Sequence, residues 1–500
     1  MVASRRELLE DPMYADAMQL VEQQGFAVVP NPNGGYRYFH EAYESAGYLE
    51  GTVFVTTDVV YHVWHQTFDK ALRDTEEFVL VPELERLLTG LVAAARVQAD
   101  EAVGTPSADH AARVAAYVEA AAVLLGLDVG EIDRRAAEAV RLATDASETT
   151  TSPITGVKPC ALPDSFEGCV DYTLFLPRGH YTRSEVLERY FRAMSLLGQE
   201  AFYIDDVDSM RMGLLVARLL DADPELAASW SRIYDTTAFL VGVADDDTPL
   251  EAVAAATPLL AGGPDAVLSA DAATIASIGD ALLESRDVGI DPENASVRMM
   301  GARVVLDSFI LDQLAWPNVG TEDDRRTKVS PLDLASVFGS PLARELQADE
   351  SRYPNDDTQL GVMTELVQEC EAQDWAGTVY DGWLYALEPQ FVERGIAFPD
   401  YMRTDAWAAK SLQTGLASYT ELKHDTVLYV KQGNAGEGEE LVPPFGPRHY
   451  VEPDPVAFGR IAAVARLCLD GLGERGLLDP ATTERFEHVI ELSSWLAGIA

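Results

Sequence analysis

The sequence predicts a mainly α-helical protein, and three observations support this fold class. Apolar residues recur at helical spacing along most of the chain, as at Leu84, Leu87, Leu88 and Leu91, and this period marks the buried face of a helix. Strand-like segments are short, such as 52–55. The chain has 500 residues, 47% of them hydrophobic, which is enough for more than one core. We expect an α/α toroid-like fold or a two-lobed helical array with a few short strands.

Helix boundaries are predicted where a capping residue, a glycine or a proline stands at the end of a segment with helical apolar spacing. Gly25 ends the first helix, and Pro82 begins a later one. A capping box at 182–185 starts the helix that follows a structured loop at 145–178. In chain order, the predicted helices are 5–24, 36–48, 56–73, 82–102, 108–126, 130–144, 183–198, 206–222, 224–242, 298–316, 331–348, 356–372, 373–390, 405–431, 453–474 and 480–500.

Three sequence ranges are predicted as parts of one integrated domain. Residues 1–150 form an N-terminal helical lobe, 151–300 a crossing loop with a helical region, and 301–500 a C-terminal helical lobe. The middle range includes a peripheral segment with an acidic run at 245–247. This run lacks the ligand spacing of an EF-hand loop, so it is expected to be a solvated turn.

The helix predicted at 56–73 carries a row of polar side chains on one face. Helical steps of four, three, four and four place there Asp58, His62, His65, Asp69 and Arg73. Such a row is costly inside a fold unless its members pair, bind an ion or contact a ligand. The row therefore indicates either a site or an internal ladder of salt bridges and hydrogen bonds. Neighbouring pairs, Asp58 with His62 or His62 with His65, can share a metal ion whose other ligands come from elsewhere.

A second polar row follows the segment 405–431. Steps of four, four, three and four place on one face Lys410, Thr414, Ser418, Glu421 and Asp425. His424 and Lys431 belong to the same segment. If the two helices face each other, each row supplies hydrogen-bond partners for the other. We therefore expect this segment to pack against the helix at 56–73.

The loop at 145–178 ends on Arg178, Gly179 and His180, just ahead of a predicted helix start. Loop residues at a capped helix start are well placed to bind an anion or a substrate. The alternative is that Arg178 and His180 only fix the loop in place through paired polar contacts.

Composition excludes several classes of function. The chain has 82 acidic and 37 basic residues, a net charge of −45, which argues against binding to nucleic acid or anionic lipid. Cys160 and Cys169 flank a loop and can pair if the protein is exported, whereas Cys370 and Cys468 are expected to be buried. The N-terminus lacks the apolar core of a signal sequence, and no apolar stretch is long enough to cross a bilayer.

Long segments of the chain resemble a bacterial and archaeal family known as domain of unknown function 3160. They are VTTDVVYHVWHQTFDKALRDTEE, VDYTLFLPRGHYTRSEVLERYFRAM, RMMGARVVLDSFILDQLAWPNVG, YPNDDTQLG, and KSLQTGLASYTELKHDTVLYVKQ followed by HYVEPDP. The resemblance runs from about Gly25 to Leu472, and the family pattern is expected to continue beyond Ala500. It implies no particular reaction, although members are often exported or lipid-anchored. By resemblance, the family's polar positions fall on Asp58, His62, Asp69, Arg178, His180, Arg303, Glu421, His424, Asp425 and Lys431.

The first functional hypothesis is a metal-assisted hydrolase with a divalent transition metal. The predicted metal ligands are His62, His65 and His424. The predicted catalytic residues, which include a general base and groups that stabilise negative charge, are Asp58, Arg178, His180, Glu421, Asp425 and Lys431. The substrate would be a small molecule, a glycan or a peptide.

Two alternatives stay open at this point. One is a metal-free glycosidase that uses two of the many carboxylates. The other is a non-catalytic envelope protein that binds or scaffolds a carbohydrate or peptide, with a groove lined by Trp64, Trp316, Trp375, Trp383 and Trp407. Aromatic residues at helical spacing are more often part of a core. A nucleotide-dependent enzyme is not favoured, because the sequence has neither GxxxxGK[ST] nor a GxGxxG after a strand.

Overall fold

The computed structural model describes residues 17–27, 41, 54–156, 158–162, 168–286, 295–430 and 450–500. It is mainly α-helical, as predicted, with a few short strands. The helices are α1 Ala17–Gln24, α2 Thr57–Thr75, α3 Val81–Glu101, α4 Ala108–Leu125, α5 Arg134–Asp145, α6 Glu185–Gln199, α7 Val207–Asp221, α8 Pro224–Val241, α9 Pro249–Ala256, α10 Ala272–Ser285, α11 Leu306–Gln313, α12 Pro331–Val337, α13 Pro341–Leu346, α14 Asp356–Glu369, α15 Ala372–Trp375, α16 Val379–Phe391, α17 Asp405–Asp425, α18 Pro455–Glu474 and α19 Pro480–Ile499.

The strands form two-stranded pairs within the described residues. They are β1 Phe54–Val55, β2 Thr149–Thr151, β3 Cys169–Asp171, β4 Phe202–Tyr203, β5 Ser296–Val297, β6 Gly320–Thr321, β7 Asp324–Arg325 and β8 Tyr450–Val451. β1 pairs with β8 in parallel, and the other pairs, β2 with β3, β4 with β5 and β6 with β7, are antiparallel. None of the described helices combines the length and the apolar content that a bilayer crossing requires.

The chain divides into two compact units, each built from separate stretches of sequence. Among the described residues, the first unit contains 17–27, 41, 54–68, 306–423 and 450–500. The second unit contains 69–156, 158–162, 168–286, 295–305 and 424–430. The earlier division into 1–150, 151–300 and 301–500 stays a prediction.

The core of the first unit is built on aromatic rings. Trp64 and Phe68, on the apolar face of α2, contact Trp383 of α16 with ring centroids 5.4 and 5.5 Å apart, and Trp64 also contacts Phe486 of α19. α18 packs against both α16 and α19. Burial of these large rings fixes which face of α2 points away from the core.

The second unit is organised around α4, which is buried along most of its length. Its small alanine side chains allow α3, α5, α6 and α7 to pack against it. Cys160 and Cys169 form a disulfide in this unit, the pairing that the sequence allowed for an exported protein. Cys468, in the first unit, is buried as expected, whereas Cys370 is half-buried.

One predicted helix, 298–316, is largely wrong. Only Leu306–Gln313 is helical, because the preceding residues form backbone hydrogen bonds with distant segments of the second unit. Arg298 N donates to Asp247 O at 2.9 Å, and Met300 N donates to Leu197 O at 3.1 Å. These long-range pairs replace the local bonds of a helix.

Smaller corrections concern helix ends. Ser184, and not residue 182, caps α6, because its hydroxyl accepts a hydrogen bond from Leu187 N while 179–183 forms a 3₁₀ turn. The helix predicted at 331–348 is interrupted between α12 and α13, and α17 ends at Asp425. The helix predicted at 36–48 lies outside the described residues, apart from position 41.

Candidate functional site

The start of α2 in the first unit is held by a cluster of charges in which Glu452 is fully buried and Lys410 and Asp58 are partly exposed. Thr57 N donates to Glu452 Oε2 at 2.8 Å, and Lys410 of α17 donates to the same oxygen at 2.9 Å. Lys410 also forms a 2.9 Å ion pair with Asp58. Burial alone would lower the pKa of Lys410, but the carboxylates of Asp58 and Glu452 raise it above its usual value. The ammonium group therefore stays charged and fixes the helix start to α17.

One turn further along α2, the two polar rows meet as predicted. His62 Nδ1 lies 2.7 Å from Glu421 Oε1, within hydrogen-bond distance. Because a carboxylate accepts hydrogen bonds, Nδ1 is the donor in this contact. The Gln66 amide lies 3.1 Å from Nε2 and can donate to it. An imidazole oriented by a carboxylate is the arrangement found around many metal-binding and catalytic histidines.

His65 completes a compact group of ligand atoms. One nitrogen of His62, one nitrogen of His65 and one oxygen of Glu421 all lie within 4.8 Å of one another. The two imidazole rings have centroids 5.6 Å apart. All three side chains are partly exposed, so an ion can reach them from solvent. Among the described residues, His62, His65 and Glu421 are the histidine, cysteine or carboxylate side chains whose ligand atoms lie close enough together to hold one metal ion.

The donor types fit a divalent transition metal. Two imidazoles and one carboxylate occur in catalytic zinc sites and in non-haem iron sites, where the remaining positions stay open to water or substrate. Asp58 does not belong to this group, because Lys410 engages its carboxylate. The group that could hold an ion therefore contains His62, His65 and Glu421 and not His424, and the predicted metal ligands His62, His65 and His424 stay a prediction.

A second buried carboxylate in the first unit was not selected from the sequence. Asp307 is fully buried and accepts hydrogen bonds from Tyr380 at 2.8 Å, Tyr419 at 2.5 Å and Lys423 at 2.8 Å. Tyr419 and Lys423 are four residues apart in α17, on a different face from Glu421. With this many donors satisfied by one carboxylate, the cluster fixes α11, α16 and α17 together.

In the second unit, His180 lies between two carboxylates. Its Nε2 is 2.6 Å from Glu76 Oε2, and its Nδ1 is 3.5 Å from Asp69 Oδ1. Burial alone would lower the pKa of His180, but Glu76 and Asp69 raise it to about 9. His180 is therefore a buried imidazolium at neutral pH, and a charged imidazole of this kind can neither bind a metal nor act as a general base.

Glu76 is the residue of this cluster that sequence reasoning missed. It is fully buried, and its Oε1 accepts hydrogen bonds from Tyr181 and Tyr429, each at 2.6 Å. Glu76 begins a π-helical turn, Glu76–Leu80, that links α2 to α3. The one sequence signal for it was its position in the first segment that resembles the family, because a π turn and a buried glutamate have no distinctive local pattern.

The remaining predicted residues of the second unit surround the same loop. Arg178 is half-buried, and burial lowers its pKa. Gly179 has φ +61°, and a Cβ there would lie 3.4 Å from the ring of His424. His424 is half-exposed, with its Nδ1 3.4 Å from Oδ1 of the fully buried Asp425. Lys431 lies outside the described residues.

The tryptophans proposed for a binding groove are mostly in the core. The structure buries Trp64, Trp375, Trp383 and Trp407, and leaves Trp316 half-buried. A carbohydrate groove needs aromatic faces that solvent can reach. These five tryptophans therefore support the core interpretation.

Comparison with known proteins identifies the family. A family model described as "Protein of unknown function (DUF3160)" matches residues 14–500. Comparison with curated proteins and with solved structures found no match. Because the family model covers nearly the whole chain, including both units and every residue discussed above, the resemblance predicted from the sequence is confirmed, and the chain belongs to the DUF3160 family.

Proposed function

We propose that this protein is a metal-assisted hydrolase whose divalent transition metal is held by His62, His65 and Glu421. The observation that carries the proposal is the convergence of two imidazoles and one carboxylate within 4.8 Å. The three side chains come from two helices, α2 and α17, that are fixed to each other by the ion pairs of Lys410. A ligand set on anchored helices keeps its geometry better than one on loops.

Zinc, manganese and iron suit this donor set better than magnesium, which prefers oxygen ligands and retains its water. Three protein ligands leave coordination positions open, which is typical of catalytic and not of structural zinc sites. When bound, such a metal supplies Lewis-acid polarisation of a carbonyl or phosphoryl oxygen.

The protein's own residues have distinct roles in this proposal. Glu421 orients His62 by accepting from Nδ1, and Gln66 lies beside Nε2. Glu421 also places a negative charge beside the two imidazoles, which offsets part of the charge of a divalent ion. Asp58 is assigned to the anchor of α2, because its ion pair with Lys410 occupies it.

A non-catalytic binding protein is the second candidate, and one observation bears on it. The first unit exposes Leu492, Trp495 and Ile499 of α19, with Trp495 63% exposed. An exposed aromatic and aliphatic strip of this kind is typical of a protein-binding surface. It lies outside the polar group and does not conflict with a metal site.

The proposal is tested by activity with and without metal. Protein stripped with a chelator would be supplied separately with zinc, manganese, iron(II) or magnesium, and assayed on chromogenic carboxyl esters, phosphoesters and peptides. We expect turnover that returns with one of the transition metals and falls roughly 10–100-fold or more in Glu421→Gln. His424→Ala, a histidine outside the ligand group, serves as the matched control. Turnover that survives both chelation and Glu421→Gln would contradict the proposal.

A further inference from the structure

Arg303 in the second unit is a buried cation with an unusual environment. Its side chain is 2% exposed. Its backbone N donates to Tyr429 O at 2.8 Å. Its backbone also forms isolated β-bridges with Ala244 and Val430, so these contacts fix the position of the Arg303 backbone. Burial lowers its pKa, as expected for a charge removed from water.

The guanidinium group is only partly satisfied by the protein. Nη2 donates to Thr237 Oγ1 at 2.5 Å. Nη1 is buried and has no hydrogen-bond partner among the described residues. No described carboxylate lies within ion-pair distance of Arg303, whereas the buried Arg326 pairs with Asp333 and Asp356. An uncompensated buried charge is destabilising by several kcal/mol.

Tyr234 lies against the same guanidinium group. The Arg303 guanidinium stacks on the ring of Tyr234, with Cζ 4.2 Å from the ring centroid. The Tyr234 hydroxyl oxygen accepts from Ala244 N at 3.1 Å. The Tyr234 O–H group and Nη1 of Arg303, which has no acceptor among the described residues, are therefore two donors on neighbouring side chains.

Glu76 and the side chains bonded to it do not supply an acceptor for Arg303. Tyr190 lies 3.1 Å from the hydroxyl of Tyr429, which in turn donates to Glu76. Glu76 already accepts from Tyr181, Tyr429 and His180. Its charge is balanced by the imidazolium of His180, so it is not available to Arg303.

We infer that Arg303 and Tyr234 form a binding site for a small inorganic anion of the size of chloride. An anion accepts hydrogen bonds and carries the charge that the guanidinium lacks. A monatomic ion suits the site better than an organic carboxylate, because Nη1 itself is fully buried. Tyr234 is only partly buried, so its side of the guanidinium is the one nearer to solvent. This site is separate in sequence from the metal ligands, and the inference does not depend on the proposed hydrolase.

The first test measures the thermal unfolding midpoint at constant ionic strength while sodium gluconate is replaced by sodium chloride. Gluconate is too large for the site, so the wild type should show a saturable rise in midpoint with chloride. We expect Tyr234→Phe to raise the apparent dissociation constant roughly tenfold, since it removes one donor. Arg303→Met should abolish the effect. Arg232→Met, at an exposed arginine in the same helix as Tyr234, should retain it.

A second measurement keeps the inference testable if Arg303→Met does not fold. Crystals of the wild-type protein soaked in sodium bromide should show an anomalous peak beside Arg303 Nη1, and the peak should weaken in Tyr234→Phe. No saturable chloride effect in the wild type, or no bromide at Arg303 while bromide binds elsewhere, would overturn the inference.

Discussion

His62 Nδ1 lies 2.7 Å from Glu421 Oε1, although 359 positions separate the two residues along the chain. Their contact brings together the polar rows of α2 and α17 within the first unit, and His65 joins them on the next turn of α2. Aromatic packing behind α2 and the Lys410 cluster at its start fix this face in position. The candidate metal site therefore depends on two sets of contacts that contain none of its ligands.

The Lys410 cluster is predicted to be essential for the stability of the first unit. Lys410→Met leaves the fully buried Glu452 and the neighbouring Asp58 without a cation. Removing one partner from a buried ion pair costs about 3–5 kcal/mol. Urea denaturation would measure this loss, and Lys328→Met, at an exposed lysine of the same unit, is the matched control with an expected change below about 0.5 kcal/mol. Equal effects of the two substitutions would show that the cluster does not anchor α2.

His180 predicts a pH dependence in the second unit. Its pKa is about 9 in the folded protein, against about 6.5 in an unfolded chain. A raised pKa stabilises the fold fully below pH 6.5, and this contribution is lost as the pH rises through 9. The difference corresponds to about 3 kcal/mol.

The measurement is the free energy of unfolding of the wild type and of His180→Gln between pH 6 and pH 10. We expect the stability difference between them to shrink across this range, because the wild type loses its charged imidazole and the variant has none. His424→Gln, at a half-exposed histidine of the same unit, should keep the wild-type dependence. A stability difference that stays constant or grows with pH would show that His180 is not held as an imidazolium.

Gly179 is predicted to resist substitution. Its φ of +61° is unfavourable for other residues, and an added Cβ would lie 3.4 Å from His424 Cε1. Gly179→Ala should cost about 1–2 kcal/mol and shift the NMR signal of the His424 Cε1 proton. Gly104→Ala is the control, because Gly104 has φ +83° but no atom within 4 Å of an added Cβ. It should show the backbone cost and leave the His424 signal unchanged, whereas an unshifted His424 signal in Gly179→Ala would contradict the predicted contact.

The sequence predicted the polar faces of α2 and α17 well, because helical spacing depends only on residues that are close in the chain. Helical spacing alone places His62 and His65 on one face of α2, and Thr57 marks its start. The row on α17 was predicted in the same way, and two facing rows have few other ways to satisfy their charges. The pairing of Cys160 with Cys169 also follows from short separation along the chain.

Features that depend on distant backbone contacts were not predictable. The segment before α11 has a helical apolar period, yet Arg303 is extended because its N–H bonds to Tyr429 O. Glu76 is buried by tyrosines that lie 105 and 353 positions away, at Tyr181 and Tyr429. Local patterns carry no information about partners at such separations, so the histidine cluster of the second unit was predicted only in part.

The most direct test of the candidate site is metal content, measured by elemental mass spectrometry after purification without an affinity metal. Wild type, His65→Ala and His424→Ala would each be equilibrated with zinc and then dialysed. The account predicts about one metal per chain in the wild type and in His424→Ala, and little in His65→Ala. A folded wild type without stoichiometric metal, or equal metal in His65→Ala, would contradict it.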